Sequence, residues 1–268
     1  MTRAAAQLLT TPEKAELYRT ALEMLNRAGV PYLVGGTYAF HYYAGIARTT
    51  KDFDIFVRRV DLQRVLDVLG RTGFRTEIAF DHWLAKAFNA DRFIDVIYSS
   101  GNGVADVDDE WFAHAVDEVV LGVPVRLCPA EEMVWSKSMI MERERYDGAD
   151  VAHLIRHCSG LLNWERMLRR FGAHWRVLYA HLVLFGFIYP GERSLIPSAV
   201  LRDLGNRMQA ELDVPTRDSK VCQGTLLSRG QYLVDIDEWG YEDARQIPRG
   251  TMTPDQIAEW TAAIDKGH

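Results

Sequence analysis

The chain has 268 residues, of which 48% are hydrophobic and 25% are charged. These are ordinary values for globular proteins, so they exclude a disordered or fibrous chain, and the length suits one large domain or two ordinary ones. The formal net charge of −6 argues against a generally basic surface that coats nucleic acid. The three cysteines form no Cys-x-x-Cys pair, which excludes a disulfide framework and a sulfur-only zinc site and favours a reducing compartment.

The location of the protein is predicted from its apolar segments. The first residues, MTRAAAQLLTTPEKAE, lack the apolar core of a signal peptide. The longest charge-free apolar run covers residues 177–191, which is shorter than the roughly 18–20 residues of a membrane span, and it predicts a buried helix. We therefore expect a cytoplasmic protein that has no membrane partner.

Short strands and helices alternate over residues 1–127. Residues 12–28 have apolar side chains at helical spacing, with Thr11 as the N-cap and Gly29 as the stop. The remaining patterns predict strands at 31–36, 53–57, 74–80 and 92–98, a hairpin at 119–127, and helices at 37–45 and 61–70. This order predicts an α+β fold in which helices pack on a mixed sheet.

From Pro129 onward the patterns are mostly helical. They predict two helices that are broken near Asp147-Gly148, followed by helices at 163–170, 173–187 and 197–212. We therefore expect a helical lobe over residues 128–212. The last segment, 213–268, contains a strand-like stretch, QYLVDI at 231–236, and a short helix that opens at Thr253-Pro254. We expect this tail to pack across both lobes.

The most informative stretch is a short apolar strand that runs into Gly35-Gly36-Thr37 and then into a helical pattern. Glycines at such a junction let the backbone turn tightly and let a ligand approach closely. Free amides in the first helical turn, together with the Thr37 hydroxyl, favour an anionic group. The stretch therefore indicates a phosphate-binding turn, and an ordinary strand-to-helix turn is the alternative reading of the two glycines taken alone.

Two acidic residues, Asp52 and Asp54, open the next strand pattern. Side chains alternate along a strand, so both carboxylates point to one side while Phe53 and Ile55 point into the core. Paired carboxylates repel each other unless a cation lies between them, and hard oxygen ligands of this kind suit Mg²⁺. The Asp-x-Asp pattern alone carries little weight, because it recurs twice further along the chain.

A third acid, Asp95, lies between apolar residues in the later strand RFIDVIY. An ionised group there is costly unless it is paired or bound to a metal. If the two strands are neighbours, three carboxylates converge opposite the Gly-Gly-Thr turn. The alternative is a structural role for Asp95 in an ion pair, with Arg92 as the candidate partner.

This order of strand, Gly-Gly-Thr, helix, Asp-Phe-Asp strand and later Asp-bearing strand resembles the nucleotidyltransferase superfamily related to DNA polymerase β. Within it, the chain looks like the stand-alone bacterial members of the antibiotic and toxin types. The resemblance covers residues 12–127 and extends loosely to 129–157, where Lys137 lies on a helix. Thr37 stands where serine is commoner in the family, and the gap to Asp52 is at the long end of the family range.

The resemblance implies a Mg²⁺-dependent nucleotidyltransferase, with Mn²⁺ as a possible substitute, that moves a nucleoside monophosphate from an NTP such as ATP to a hydroxyl. It implies that Asp52, Asp54 and Asp95 hold the metal ions, with Asp95 nearest the acceptor. The NTP phosphates would lie on Gly35, Gly36 and Thr37, and Lys137 would contact the triphosphate. The acceptor stays open among an antibiotic-like small molecule, tRNA and a protein. The alternative functions are a non-catalytic nucleotide-binding regulator and a metal-dependent phosphohydrolase, and Lys137 is alternatively a solvated helix residue.

Overall fold

The structure, a computed structural model, describes residues 10–212, 214–215 and 219–266. The chain divides into two compact units, Met1–Pro129 and Ala130–His268. The first unit contains a seven-stranded sheet with helices, and helices dominate the second. The predicted α+β class, a mixed sheet followed by a helical part, is confirmed.

The elements of the first unit follow the predicted order, with one strand that the sequence patterns missed. In chain order they are α1 (Pro12–Arg27), β1 (Leu33–Val34), α2 (Gly36–Ala44), β2 (Phe53–Phe56), α3 (Leu62–Arg71), β3 (Arg75–Phe80), β4 (Leu84–Asn89), β5 (Arg92–Ile97), α4 (Asp109–Ala113), β6 (Val116–Val120) and β7 (Val123–Leu127).

Helix α1 begins and ends where local chemistry indicates. The Thr11 hydroxyl oxygen accepts a hydrogen bond from the Lys14 amide, and Pro12 occupies the first turn, where its missing N–H costs nothing. After the helix, Gly29 has a φ of +60°, a conformation that glycine adopts without strain. Tyr18 and Leu22 lie on the buried face of the helix, as its apolar spacing predicts.

The sheet is mixed, with the strand order β3-β4-β5-β2-β1-β7-β6. Strand β2 pairs in parallel with β5 on one side and antiparallel with β1 on the other. Strands β6 and β7 form the predicted hairpin around Leu121-Gly122, and both turn residues have positive φ, as type I′ turns require. The parallel pairing of β2 with β5 is the contact that assembles the candidate site.

Strand β4 was not predicted, because LAKAFN is rich in residue types that are depleted in strands. It forms because β3 and β5 pair with it on both sides, which satisfies its backbone donors and acceptors. The predicted strand at 31–36 is shorter than expected, since only Leu33–Val34 is in the sheet. Pairing with neighbouring strands therefore decides both the presence of β4 and the length of β1.

The second unit comprises five consecutive helices and a short irregular C-terminal part. Its elements are α5 (Ala130–Ser138), α6 (Gly148–Cys158), α7 (Trp164–Phe171), α8 (Trp175–Ile188), α9 (Ser198–Leu212), β8 (Val221–Cys222), α10 (Leu233–Asp237), β9 (Glu242–Asp243) and α11 (Pro254–Ala262). Helix α11 opens with the predicted Thr253-Pro254, and Thr253 forms a capping box with Gln256.

The predicted strand at 231–236 is wrong, because residues 233–237 form helix α10. The alternating pattern of QYLVDI needs a partner strand, and the described strands of this unit, β8 and β9, already pair with each other. The segment instead satisfies its backbone locally, and the Glu238 amide donates to the Val234 carbonyl. The alternating segment QYLVDI, which pairs with no described strand, thus forms a helical turn.

The predicted buried helix within 177–191 is only partly buried. Helix α8 buries Leu178, Leu182 and Phe185 along one side, yet Phe187 is 82% exposed. One stretch of the described chain, Trp164–Ile188, is long and apolar enough to cross a membrane by length and composition alone, and a third of its most apolar window is buried. A 3-10 turn at Gly172–His174 interrupts this stretch between α7 and α8.

A buried ion network joins α5 to α7 inside the second unit. Arg166, which is 2% exposed, pairs with both Glu131 and Glu132, and Arg170 adds a second cation at Glu132. Glu132 is fully buried, and this burial raises its pKa although both guanidiniums act in the opposite direction. Buried carboxylates of this kind tolerate the interior only when they are paired.

Candidate metal centre

Three carboxylates converge on one face of the sheet. The parallel register of β2 and β5 places Asp54 directly opposite Asp95, and Asp52 lies one residue before β2 on the same side as Asp54. One carboxylate oxygen from each of the three residues lies within 4.8 Å of the other two. The structure therefore brings together the three acids that the sequence pattern indicated.

The opposite face of the same strands is core. Phe53, Ile55 and Val57 are at most 1% exposed, and so are Ile94 and Val96 on β5. Because side chains alternate along a strand, burial of these apolar residues holds the acidic residues on the other face. A one-residue slip of register would bury the carboxylates, so the hydrophobic pattern itself determines where the site lies.

The glycine turn lies directly against Asp54. Helix α2 begins at Gly36, whose φ is +52°, and a Cβ atom at Gly36 would lie 1.7 Å from Oδ2 of Asp54. The Gly35 amide donates to the Asp54 carbonyl at 3.1 Å, and a Cβ at Gly35 would lie 2.3 Å from the Phe56 ring. Both glycines are therefore required by close approach to neighbouring side chains, a packing requirement that an ordinary turn and a phosphate-binding turn share.

The first turn of α2 offers an environment for anions beside the carboxylates. Helix α2 has nine residues. As in any α-helix, the amides of its first turn have no intrahelical partners, and they lie at the positive end of the helix dipole. Thr37 lies half-buried in this first turn. A turn of this composition suits a phosphate group when a cation offsets the nearby acidic side chains.

Two polar neighbours hold two of the carboxylates in place. The Thr50 hydroxyl donates to Oδ1 of Asp52 at 2.6 Å. The Lys86 ammonium, from the unpredicted strand β4, donates to Oδ1 of Asp95 at 2.9 Å. The partner proposed for Asp95 from the sequence was wrong, because the Arg92 side chain pairs with Asp91 instead. Lys86 lies opposite Asp95 in the β4–β5 register, whereas Arg92 is three positions away on the same strand and points to the other side.

The negative charges of the acidic cluster also affect the pKa of a buried tyrosine, Tyr18. Tyr18 is fully buried, and its hydroxyl donates to the Phe93 carbonyl at 3.3 Å. Burial, and then the negative charges of the three aspartates, raise the pKa of Tyr18 to about 12, although Arg92 acts in the opposite direction. Its hydroxyl is therefore a neutral hydrogen-bond donor at physiological pH.

Lys137 belongs to the second unit, on helix α5. Its ammonium pairs with Asp147 at 3.0 Å and with Asp150 at 2.8 Å. Although burial acts in the opposite direction, hydrogen bonding to Arg145 and the charge of Lys137 lower the pKa of Asp147. Lys137 is thus an anchored residue and not a solvated one, and its contact with a triphosphate stays a prediction.

Sequence reasoning missed three residues around the cluster: Thr50, Lys86 and Tyr18. Thr50 had a signal, because a hydroxyl two residues before an acidic strand can hydrogen-bond that acid locally. For Lys86 the sequence offered only a weak signal, namely that a lysine lies in the short stretch before the strand that carries Asp95. Tyr18 had none, since its place beside the cluster depends on how α1 packs against the sheet.

Neither a protein-family model nor a curated protein matches the chain. Among solved structures, it is similar to the antibiotic-resistance factor ANT(2'')-Ia, with 18% identity and a TM-score of 0.45 over 63% of this chain and 95% of that chain. It is also similar to the lincosamide antibiotic adenylyltransferase LnuA, with 14% identity and a TM-score of 0.39 over 55% of this chain and 97% of that chain.

A third similar structure is an antigenic nucleotidyltransferase-like protein from Paracoccidioides brasiliensis, with 15% identity and a TM-score of 0.47 over 72% of this chain and 99% of that chain. Nucleotidyltransferases are the family that the motif order resembles. Because the TM-scores of all three structures lie below 0.5, we infer the function from the residues of the site itself.

Proposed function

We propose that this chain is a Mg²⁺-dependent nucleotidyltransferase, which transfers a nucleoside monophosphate from an NTP to a hydroxyl group of an acceptor. One observation carries the proposal. Three carboxylate oxygens, from the paired strands β2 and β5 and from the residue just before β2, lie within 4.8 Å of one another, and Gly36 at the start of a helix lies against the Asp54 carboxylate. That arrangement is suited to a metal ion that carries a phosphate chain.

The donor set fits Mg²⁺. Asp52, Asp54 and Asp95 supply only oxygen ligands, and three like charges this close are stable together only when a cation offsets them. The bound metal would neutralise phosphate charge and stabilise the attacking and leaving oxygens. Each of the three aspartates offers one carboxylate oxygen to such an ion.

The remaining work falls to residues that position the NTP. In the proposal, the free amides at the start of α2 and the Thr37 hydroxyl donate to phosphate oxygens, and the absence of a side chain at Gly36 leaves room for the Asp54 carboxylate next to this helix start. The acceptor oxygen forms a bond to the α-phosphorus while the bond from the α-phosphorus to the bridging oxygen breaks and pyrophosphate leaves. Asp95 is proposed to face the acceptor and to take up its proton. The resemblance adds Lys137 as a contact for the triphosphate.

Label transfer tests the reaction. The protein is incubated with Mg²⁺ and ATP labelled at either the α- or the γ-phosphate, with tobramycin, lincomycin, tRNA and a mixture of proteins as acceptors. The expected result is transfer of the α-label to an acceptor, release of the γ-label in pyrophosphate, and loss of at least about a hundredfold of this activity in Asp52→Asn and Asp54→Asn. Asp67→Asn is the matched control, because Asp67 is an exposed acid on α3 of the same unit.

The alternatives give different products. Mg²⁺-dependent binding of ATP with no release of pyrophosphate across the acceptor panel would contradict transfer and indicate a non-catalytic regulator. Free monophosphate as the sole labelled product would indicate a phosphohydrolase. Transfer that survives in both Asp→Asn variants would contradict the role given to the carboxylates.

A further inference from the structure

A row of charges crosses three neighbouring strands on the face that carries the acidic cluster. Lys86 on β4 is directly opposite Asp95 on β5, and Asp95 is directly opposite Asp54 on β2. The Lys86 Nζ atom lies 2.9 Å from Oδ1 of Asp95 and 4.4 Å from the centre of the Phe93 ring. The side chains of Lys86 and Asp95 are 14% and 13% exposed.

This ion pair differs from an ordinary surface pair. At such low exposure, solvent and salt screen it weakly, and the aromatic ring on the same face holds the ammonium over the cluster. Three carboxylates within 4.8 Å repel one another, and Lys86 brings a positive charge into direct contact with one of them. Lys86 therefore relieves part of the repulsion that a metal ion would otherwise have to relieve.

We propose that Lys86 is a built-in counter-ion of the cluster and, resting on the function proposed above, a positioning residue that makes metal binding depend on the nucleotide. Its charge stabilises the folded site without metal. The same charge weakens the binding of a divalent cation that arrives alone. A cation that arrives on a triphosphate brings its own negative charges, so the penalty from Lys86 is offset and the metal enters together with the substrate.

Two substitutions separate charge from structure. Lys86→Met removes the ammonium and keeps an unbranched apolar stem of similar length, while Lys86→Arg keeps the positive charge. Arg71→Met is the matched control, because Arg71 is an exposed cation in the last turn of α3 in the same unit. Binding of Mn²⁺ is followed by electron paramagnetic resonance, first without nucleotide and then with a non-hydrolysable ATP analogue.

Removal of the ammonium is expected to tighten Mn²⁺ binding in the absence of nucleotide by on the order of tenfold or more, and by much less when the analogue is present. Lys86→Arg and Arg71→Met are expected to stay within about twofold of the wild-type affinity. A purely structural role predicts the opposite sign, because a damaged ligand set binds metal more weakly. Lys86→Met is also expected to melt a few degrees lower than the wild type in EDTA and to recover in Mn²⁺.

Unchanged or weaker Mn²⁺ binding by Lys86→Met would overturn the proposal, and so would equal tightening in Arg71→Met. If Lys86→Met does not fold in EDTA, the same measurements on Lys86→Gln decide the question, and folding of Lys86→Met only in Mn²⁺ counts in favour. These measurements involve no turnover. The predicted Mn²⁺ pattern without label transfer therefore refutes the proposed reaction alone, whereas label transfer without that pattern refutes the role of Lys86 alone.

Discussion

Gly36→Ala tests the link between the glycine turn and the acidic cluster. Two properties of Gly36 make its replacement informative: a φ of +52° and the position of Asp54, whose Oδ2 would lie 1.7 Å from the new Cβ. Gly29 shares the first property alone, since its φ is +60° and no atom of the described residues lies within 4 Å of a Cβ built there. Gly29→Ala is therefore the matched control.

The magnitudes follow from these two properties. An alanine at positive φ costs about 1–2 kcal/mol, so both variants are expected to lose that much free energy of unfolding. In Gly36→Ala, Oδ2 of Asp54 must also retreat by roughly 1.7 Å to reach an ordinary contact distance, and the Asp54 Cβ would lie only 3.0 Å from the new methyl. Rotation of the side chain relieves the clash by taking the carboxylate out of the cluster.

The consequence is loss of a metal ligand at little extra cost in stability. Metal–ligand distances tolerate only about 0.2 Å, so Gly36→Ala is expected to weaken Mn²⁺ binding at least tenfold and label transfer on the order of a hundredfold. Urea denaturation, Mn²⁺ titration and the label-transfer assay measure the three quantities on both variants. Wild-type Mn²⁺ affinity in Gly36→Ala, or an equal loss in Gly29→Ala, would refute the reasoning.

Three further predictions concern neighbours of the site, the helical unit and alkaline pH. Thr50→Val removes the hydroxyl that holds Asp52, and we expect about a tenfold loss of Mn²⁺ affinity with little change in the free energy of unfolding; an unchanged affinity would contradict this. Arg166→Met leaves Glu132 buried with one of its two cations, and urea denaturation is expected to show a loss of about 3–5 kcal/mol, whereas a loss below about 1 kcal/mol would contradict it. Burial raises the pKa of Tyr98 to about 12, so the native state keeps this proton while the unfolded chain loses it above about pH 10. The stability that Tyr98 contributes is therefore full below pH 10 and lost as the pH rises toward 12, and denaturation at several pH values should show a shallower alkaline decline in Tyr98→Phe.

Local patterns in the sequence were sufficient for most of the fold. Alternation of acidic and apolar residues around Phe53 and Ile94 indicated which face of each strand would be core, because burial acts on every second side chain. Helix boundaries at Thr11 and Thr253 followed from capping chemistry, which involves neighbouring residues only. The same local logic singled out Gly36 as a position that leaves no room for a side chain, and in the structure the group that a side chain there would meet is the Asp54 carboxylate.

Only the tertiary structure decided which strands are neighbours, and the site depends on that choice. The pairing of β2 with β5 brings together residues about forty positions apart, and no local pattern specifies it. Pairing of β4 with the strands before and after it makes LAKAFN a strand and places Lys86, not Arg92, against Asp95. In the second unit, β8 and β9 pair with each other, and QYLVDI forms a helical turn. Local chemistry determines what each segment can become, whereas pairing between distant segments determines which possibility satisfies the backbone and which charges meet.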